Sequence, residues 1–378
     1  MQTRRQFAIS AAAAAVTGFG PVSARAADNK IVLGQSAPFT GPAAQLGIKY
    51  NEGANLWFEQ VNAQGGIQGR LIEIRKLDDG YEPDRCQANT QKFLQEDVFA
   101  LFGYVGTPTS VSVLPMVNKA QVPFIAPFTG AQSLREPFNK HVIHLRASYH
   151  DETNLIVTQL TNLGLNKIAV FYQNDSYGKS GLDGVNQALE RLNLKPVATA
   201  TVERNSVDVQ DAVKTLTAAA PDAVVQISAY KSCAAFIRAA KKAGYGGTFY
   251  NVSFVGAQAL SGELGREGAG VVVSQVVPSP YYSARPIVRE FVDAARKAGQ
   301  AESINFTSME GYLAAKLVTE GLQRAGGKLP TRESLIQGIE TIGVHSFGGY
   351  RVQYSPTDHV GSKFVEMSMI TAEGKIRT

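Results

Sequence analysis

Apolar runs of strand length alternate with amphipathic helical stretches along nearly the whole chain. Lys30–Ala37 reads as a strand, and the next stretch carries Leu46, Tyr50, Gly53, Trp57 and Val61 at helical spacing. A strand at Leu71–Leu77, a helix over 84–96, a strand at Phe99–Gly103, a helix over 108–119 and a short strand at Val122–Ala126 follow. That order predicts an α/β fold with a parallel sheet covered by helices on both faces. The pattern then restarts. Helix 152–163 precedes a buried-type strand at Lys167–Tyr172, and the next helix sets Leu182, Val185, Leu189 and Leu192 on one face. Strand 196–202, helix 208–219, strand 222–228, helix 231–243 and short strands near 247–251 and 270–276 complete the second series. Helices over 285–298, 308–325 and 331–341 come next, then Tyr350–Tyr354 and Phe364–Ile370, which alternate as strands with no helix between. Two α/β halves of similar plan place their ligand loops at the carboxyl ends of the strands. If those ends face each other they line a cleft, and hinge closure on a ligand is the natural mechanism.

Residues 1–26 stand outside this alternation. Thr3-Arg4-Arg5-Gln6-Phe7 leads into an alanine-rich apolar run to Val16, then Gly18, Gly20, Pro21 and Ala24-Arg25-Ala26. A charged start, a short apolar stretch and small residues at a cleavage site predict an export signal; the paired arginines resemble the twin-arginine kind, and a Sec signal can carry two by chance. The apolar run is too short for a membrane span and no lipobox-like cysteine follows, so the mature chain is expected to be soluble and periplasmic. Without Arg4, Arg5 and Arg25 the formal charge falls from +5 to 5 − 3 = +2. That is too weak a field for nucleic acid. With 44% hydrophobic and 18% charged residues, the composition also excludes a disordered chain or a disulfide scaffold. Cys86 and Cys233 fall in different halves and read as two buried, unpaired thiols.

Catalytic signatures are missing. The chain has no GxxxxGK[ST], GxGxxG after a strand, GxSxG, HExxH or calcium-loop pattern. Five histidines are scattered, and His359 reads as a turn residue. Asp78-Asp79 ends a strand and suits capping of the next turn better than acid–base chemistry. No metal or cofactor is therefore expected.

The loops after strands carry the informative residues. Tyr104-Val105-Gly106-Thr107-Pro108-Thr109-Ser110 runs straight into a helix, where a hydroxyl beside free N–H groups can hold a carboxylate. Plain N-capping by Thr107 or Thr109 explains the same residues. Phe128-Thr129-Gly130-Ala131 is a second such loop, able to stack on a ligand through Phe128 and bond it through Thr129 and the Gly130 backbone, or simply to turn. Asn174-Asp175-Ser176-Tyr177-Gly178 and Tyr230 end strands in the second half, and each tyrosine offers a ring and a hydroxyl to a small ligand, or packs as a rim residue. Four loops of this kind at strand ends favour a cleft site more than any one does.

These segments resemble the type I periplasmic solute-binding proteins of branched-chain amino-acid (leucine-binding-protein-like) ABC transporters. The most specific piece is Val61-Asn62-Ala63-Gln64-Gly65-Gly66-Ile67-Gln68-Gly69-Arg70. Ala37-Pro38-Phe39-Thr40-Gly41-Pro42, Asp175-Ser176-Tyr177-Gly178, Phe347-Gly348-Gly349 and Asp358-His359-Val360-Gly361 match as well. The resemblance implies two Rossmann-like lobes joined by three hinge crossings near 146–149, 276–279 and 341–346. One lobe would hold 27–147 plus 278–343, the other 148–277 plus 344–378. It also implies a monomeric receptor whose closed, loaded form docks on a membrane permease. Carried over by position, Thr107 would hold the ligand carboxylate, Phe128, Thr129 and Gly130 would form the neighbouring loop, and Tyr177 and Tyr230 would come from the second lobe. Two departures stand out. Leu46 replaces the aromatic residue after Gln45, and the acidic partner of an α-ammonium has Gln258, a neutral side chain, as its nearest match. The expected solute is thus a branched-chain amino acid or a related small carboxylate or amide. Readings from other classes are a sensor module of the same fold and an exported α/β enzyme.

Overall fold

The computed structural model describes residues 30–282, 284–327 and 330–378, so the expected leader over 1–26 lies outside the described residues. The first half of the chain runs β1 (Lys30–Ala37), α1 (Ala44–Ala63), β2 (Leu71–Asp78), α2 (Pro83–Gln95), β3 (Ala100–Phe102), α3 (Thr107–Ala120), β4 (Phe124–Ile125) and β5 (Val142–Ile143). These strands form one parallel sheet in the order β2-β1-β3-β4-β5. Asp78 does cap the turn it ends: its carboxylate accepts from the amides of Phe39, Thr40 and Gly80.

The second series runs α4 (Tyr149–Asn162), β6 (Ile168–Gln173), α5 (Ser176–Glu190), β7 (Ala198–Val202), α6 (Gln210–Ala218), β8 (Ala223–Ile227), α7 (Tyr230–Lys242), β9 (Thr248–Asn251), α8 (Ala257–Leu264) and β10 (Val272–Gln275). Then come α9 (Pro286–Lys297), α10 (Phe306–Arg324), α11 (Arg332–Glu340), β11 (Gly343–Phe347), β12 (Tyr350–Tyr354), β13 (Glu366–Ile370) and β14 (Ile376–Arg377). The second sheet has the order β14-β13-β10-β9-β8-β6-β7. Its central strands are parallel, and all five residues of β8 are buried, as helices on both faces require. β13 and β14 pair antiparallel, so this sheet is mixed at one edge rather than parallel throughout. Leu192, expected on the buried face of α5, lies beyond the helix end and is exposed. Cys86 and Cys233 are buried and unpaired.

Late elements return to the first sheet. α10 packs along α1, and the two backbones meet at glycines. A Cβ on Gly53 would come 1.8 Å from the Ser308 carbonyl oxygen, and one on Gly311 would come 2.1 Å from that of Tyr50. Further along, the Trp57 indole N–H donates to the Thr319 hydroxyl at 2.8 Å, and the Lys316 ammonium lies over the Trp57 ring. α4 starts with a reciprocal cap: the Ser148 hydroxyl accepts from the Asp151 amide, and the Asp151 carboxylate accepts from the Ser148 amide. That cap fixes where the chain enters the second half. Gly53→Ala should therefore destabilise the protein by about 1–3 kcal/mol, because the methyl meets backbone rather than a movable side chain. Urea unfolding followed by circular dichroism measures it.

Candidate functional site

Strand ends from the two sheets meet in a buried seam. On the first-sheet side β2 opens into Gly80-Tyr81-Glu82, β3 into the turn before α3, and β4 into Phe128-Thr129-Gly130. A parallel bridge between Val105 and Phe128 continues the β3–β4 pairing past Ala126 and brings the last two loops side by side. The Thr107 and Thr129 hydroxyls are then 2.7 Å apart. Gly106, at φ 101°, precedes α3; a Cβ there would come 2.2 Å from the Tyr81 ring, so only glycine permits this approach.

From the second sheet come Tyr177 at the start of α5, Tyr149 at the start of α4, and Ser253-Phe254 after β9. Phe254 is the meeting point of the rings. Its centroid lies 5.8 Å from that of Tyr81, 5.5 Å from Phe128 and 4.6 Å from Tyr177, while Tyr149 and Tyr177 are 5.2 Å apart. Burial pushes the Tyr177 phenol well up. It pushes Tyr149 up to about 12 against the pull of Arg146, Thr129 and the Gly130 amide, all of which face its hydroxyl. Both phenols therefore stay protonated at neutral pH and remain hydrogen-bond donors. Neither hydroxyl has a hydrogen-bond partner of good geometry among the described residues. Leaving buried polar groups unmatched costs about 1–3 kcal/mol each, so a ligand that accepts from them gains by the same margin.

Beneath the rings lies a buried charge cluster. Arg146 is 1% exposed; its guanidinium sits 3.3 Å from the Glu310 carboxylate, 4.5 Å over the Phe128 ring, and donates to the Ser253 hydroxyl. Glu152 accepts from the Ser253 amide at 2.7 Å, the Ser253 hydroxyl at 3.1 Å and the Ser274 hydroxyl at 2.5 Å. Arg135 is also buried, and its guanidinium donates only to backbone carbonyls, among them Ala131 at 2.9 Å and Arg146 at 3.1 Å.

The seam is tied at its edges. On one side Arg204 pairs with Glu82 at 2.8 Å and Asp175 at 3.3 Å, and the Asn205 amide donates to the Gly80 carbonyl and the Glu82 carboxylate. Near the centre the Gln173 side-chain amide donates to the Tyr81 hydroxyl at 3.1 Å. On the other side the Gln45 amide donates to the Tyr230 hydroxyl at 3.5 Å. Here a groove of about 240 Å³ is lined by Gln45, Leu46, Tyr230 and Gln258.

Of the residues singled out from sequence, Thr107, Phe128, Thr129, Gly130 and Tyr177 thus converge in the seam. Tyr230 and Gln258 lie in the adjoining groove, where the Gln258 carbonyl accepts from the Tyr281 hydroxyl at 3.0 Å. Tyr81, Arg146, Tyr149, Glu152 and Phe254 were missed. Tyr81 follows a strand end, the rule that found the others. Phe254 lies in the segment read only for an acidic residue. Arg146 carried one signal, a charge between the apolar neighbours Leu145 and Ala147.

Two open α/β sheets face each other across a polar–aromatic seam, and the chain crosses between them three times, an architecture suited to holding a small solute between its halves. The profile of a family described as periplasmic binding protein matches residues 30–375, and the chain belongs to that family. It is homologous to Leu/Ile/Val-binding proteins of branched-chain amino-acid ABC transporters. One relative, Leu/Ile/Val-binding protein homolog 7 of Brucella suis, is 26% identical over 332 residues, covering 83% of this chain and 81% of that one. The crystal structure of a possible leucine/isoleucine/valine-binding protein from Rhodopirellula baltica is 33% identical, with a TM-score of 0.88 over 93% of this chain and 96% of the other. A branched-chain amino-acid ABC transporter protein from Thermus thermophilus with bound valine shares the fold at 19% identity, with a TM-score of 0.81 over 92% of this chain and 94% of the other.

The charge cluster makes stability depend on pH. Burial and the neighbouring Glu152 raise Glu310 from 4.5 to about 7, against the pull of Arg146 and Arg135. Between those values the folded protein keeps a proton that the unfolded chain releases, so this group's contribution to stability falls as pH rises. Relative to Glu310→Gln, the wild type should lose on the order of 3 kcal/mol between pH 4.5 and pH 7. Urea titrations of both proteins across that range give the difference directly.

Proposed function

We propose that this protein is the receptor of an ABC importer. It captures a small carboxylate-bearing solute, a branched-chain amino acid or a related compound, closes its lobes around it and presents it to a membrane permease. The observation that carries the reading is the convergence of Thr107, Thr129, Tyr149, Tyr177 and Arg146 in one buried seam, where neither phenol hydroxyl has a hydrogen-bond partner of good geometry among the described residues. Donors outnumber free acceptors there, which suits a carboxylate. The names of the Brucella and Rhodopirellula relatives support the leucine-like class of solute.

The lobes of this reading are 27–147 with 278–343, and 148–277 with 344–378. The packing of α10 on α1 and the place of β13 in the second sheet support that division. Hinge closure would bring Tyr177 and Phe254 onto the loops after β3 and β4, and Arg204 onto Glu82. The export signal read in residues 1–26 supports a periplasmic site of action. Among the described residues no helix is long and apolar enough to cross a membrane.

Mass spectrometry of the solute released on denaturing the purified protein identifies what it carries, and readdition should raise the melting temperature without turnover. A hundredfold excess over Kd adds about 2.7 kcal/mol of stability. Thr107→Val keeps the shape and removes one hydroxyl. It should weaken binding of that solute by roughly 10- to 100-fold, in line with one charge-assisted hydrogen bond. Calorimetric titration reads the change; unaltered affinity would leave the Thr107 hydroxyl a structural partner of Thr129 and nothing more.

A further inference from the structure

Among the described residues the seam offers unpartnered donors to an anion, while its buried carboxylates are already engaged. Glu152 accepts from three donors near Arg146, and Asp79, just before Tyr81, accepts from the Ser36 hydroxyl and the Tyr81 amide. Glu310 faces Arg146 from the other side. Asp175 accepts from the Tyr177 amide and the Gln173 side chain and pairs with Arg204. Gln258, the side chain that sequence alone matched to an ammonium partner, lies in the outer groove and is bonded to Tyr281. Among the described residues the unpartnered acceptors near Tyr81 are the side-chain amide oxygens of Gln173 and Asn205, both neutral.

The positive side is open. Arg135 has no carboxylate within ion-pair distance among the described residues, and it holds the Thr129–Ala131 backbone through carbonyl bonds. Its charge sits directly behind the loop that carries Thr129. Arg146 Nη1 and the Tyr149 hydroxyl are also buried and without a hydrogen-bond partner of good geometry among the described residues. A zwitterion would gain at its carboxylate and leave a desolvated ammonium without a counter-charge.

We propose that the site selects a monocarboxylate lacking an α-ammonium, seated against Thr129, Tyr149 and Arg146, with its apolar body between Phe128, Tyr177 and Phe254. This deepens the receptor reading and depends on it. The solute class is then the deaminated counterpart of a branched-chain or aromatic amino acid: a 2-oxo acid or a simple aliphatic or aryl acid.

Calorimetric titration of the dialysed protein with two matched series tests this. The first is L-leucine, 4-methyl-2-oxopentanoate, 4-methylpentanoate and 4-methylpentanamide; the second is L-phenylalanine, phenylpyruvate, 3-phenylpropanoate and its amide. In whichever series binds, an acid without the ammonium should bind at least tenfold more tightly than the amino acid, and the amide should bind weakest. Tyr149→Phe should then weaken the acids by tenfold or more and leave the amide within about twofold. An amino acid that binds more tightly than its deaminated partners overturns the selectivity and leaves the carboxylate receptor standing. Amides that match the acids, or no binding by any compound at millimolar concentration, overturn the carboxylate reading and this inference together. Equal weakening of acids and amide by Tyr149→Phe overturns the assignment of Tyr149 to the carboxylate.

Discussion

The whole arrangement depends on keeping one charge, that of Arg146, out of water. Transferring a guanidinium to a protein interior costs several kcal/mol even after relaxation, and only close partners offset it. Here they come from four separate segments: Glu310 on α10, Glu152 on α4, Ser253 after β9 and the ring of Phe128 after β4. Two of these belong with the first sheet and two with the second. Arg146 itself stands where the chain first passes from one sheet to the other, so the charge and the pivot of the proposed hinge coincide. Lobe rotation displaces groups least at such a point, and the partners stay within reach while the strand-end loops travel further.

Above that charge the loops divide the work by sheet. The first sheet supplies rigid hydroxyls and backbone, with Thr107 and Thr129 clamped together and Gly106 cleared for Tyr81. The second supplies the rings of Tyr177 and Phe254, which hinge closure would carry with it. A ligand bound first to the rigid side would meet the rings only on closure, which is how binding energy can be used to draw the lobes together. Phe254 touches rings of both sides and therefore reports on closure more directly than any hydroxyl does.

Much of the fold was legible because many of its strands are either wholly buried or alternate along their length. β8 is apolar except for Gln226, and β12 alternates buried and exposed residues along its length. The antiparallel edge was not legible, since Glu366–Ile370 gives the same alternation in either direction. His359 shows a different limit. It reads as a turn residue, yet it is buried, with its ring within hydrogen-bond distance of the Val142 carbonyl and the Glu340 carboxylate, partners over 200 and 19 residues away. At the site, most residues placed directly after strands were found by rule, Tyr81 after β2 and Phe254 after β9 being the exceptions. Arg146, Glu152 and Glu310 were not, because a charge buried by tertiary contacts looks, in one dimension, like a charge in solvent.

The tie between Arg204 and Glu82 differs in kind from the buried cluster, because Glu82 is 41% exposed and Arg204 23%. Exposed ion pairs lie within reach of mobile salt, whose screening length is about 8 Å at physiological strength. The proposed seat is buried and so shielded from those ions. Discrimination among solutes and lifetime of the shut state would consequently answer to separate variables. A cell envelope whose salinity swings with its surroundings would alter how long the protein holds its cargo while leaving the choice of cargo untouched.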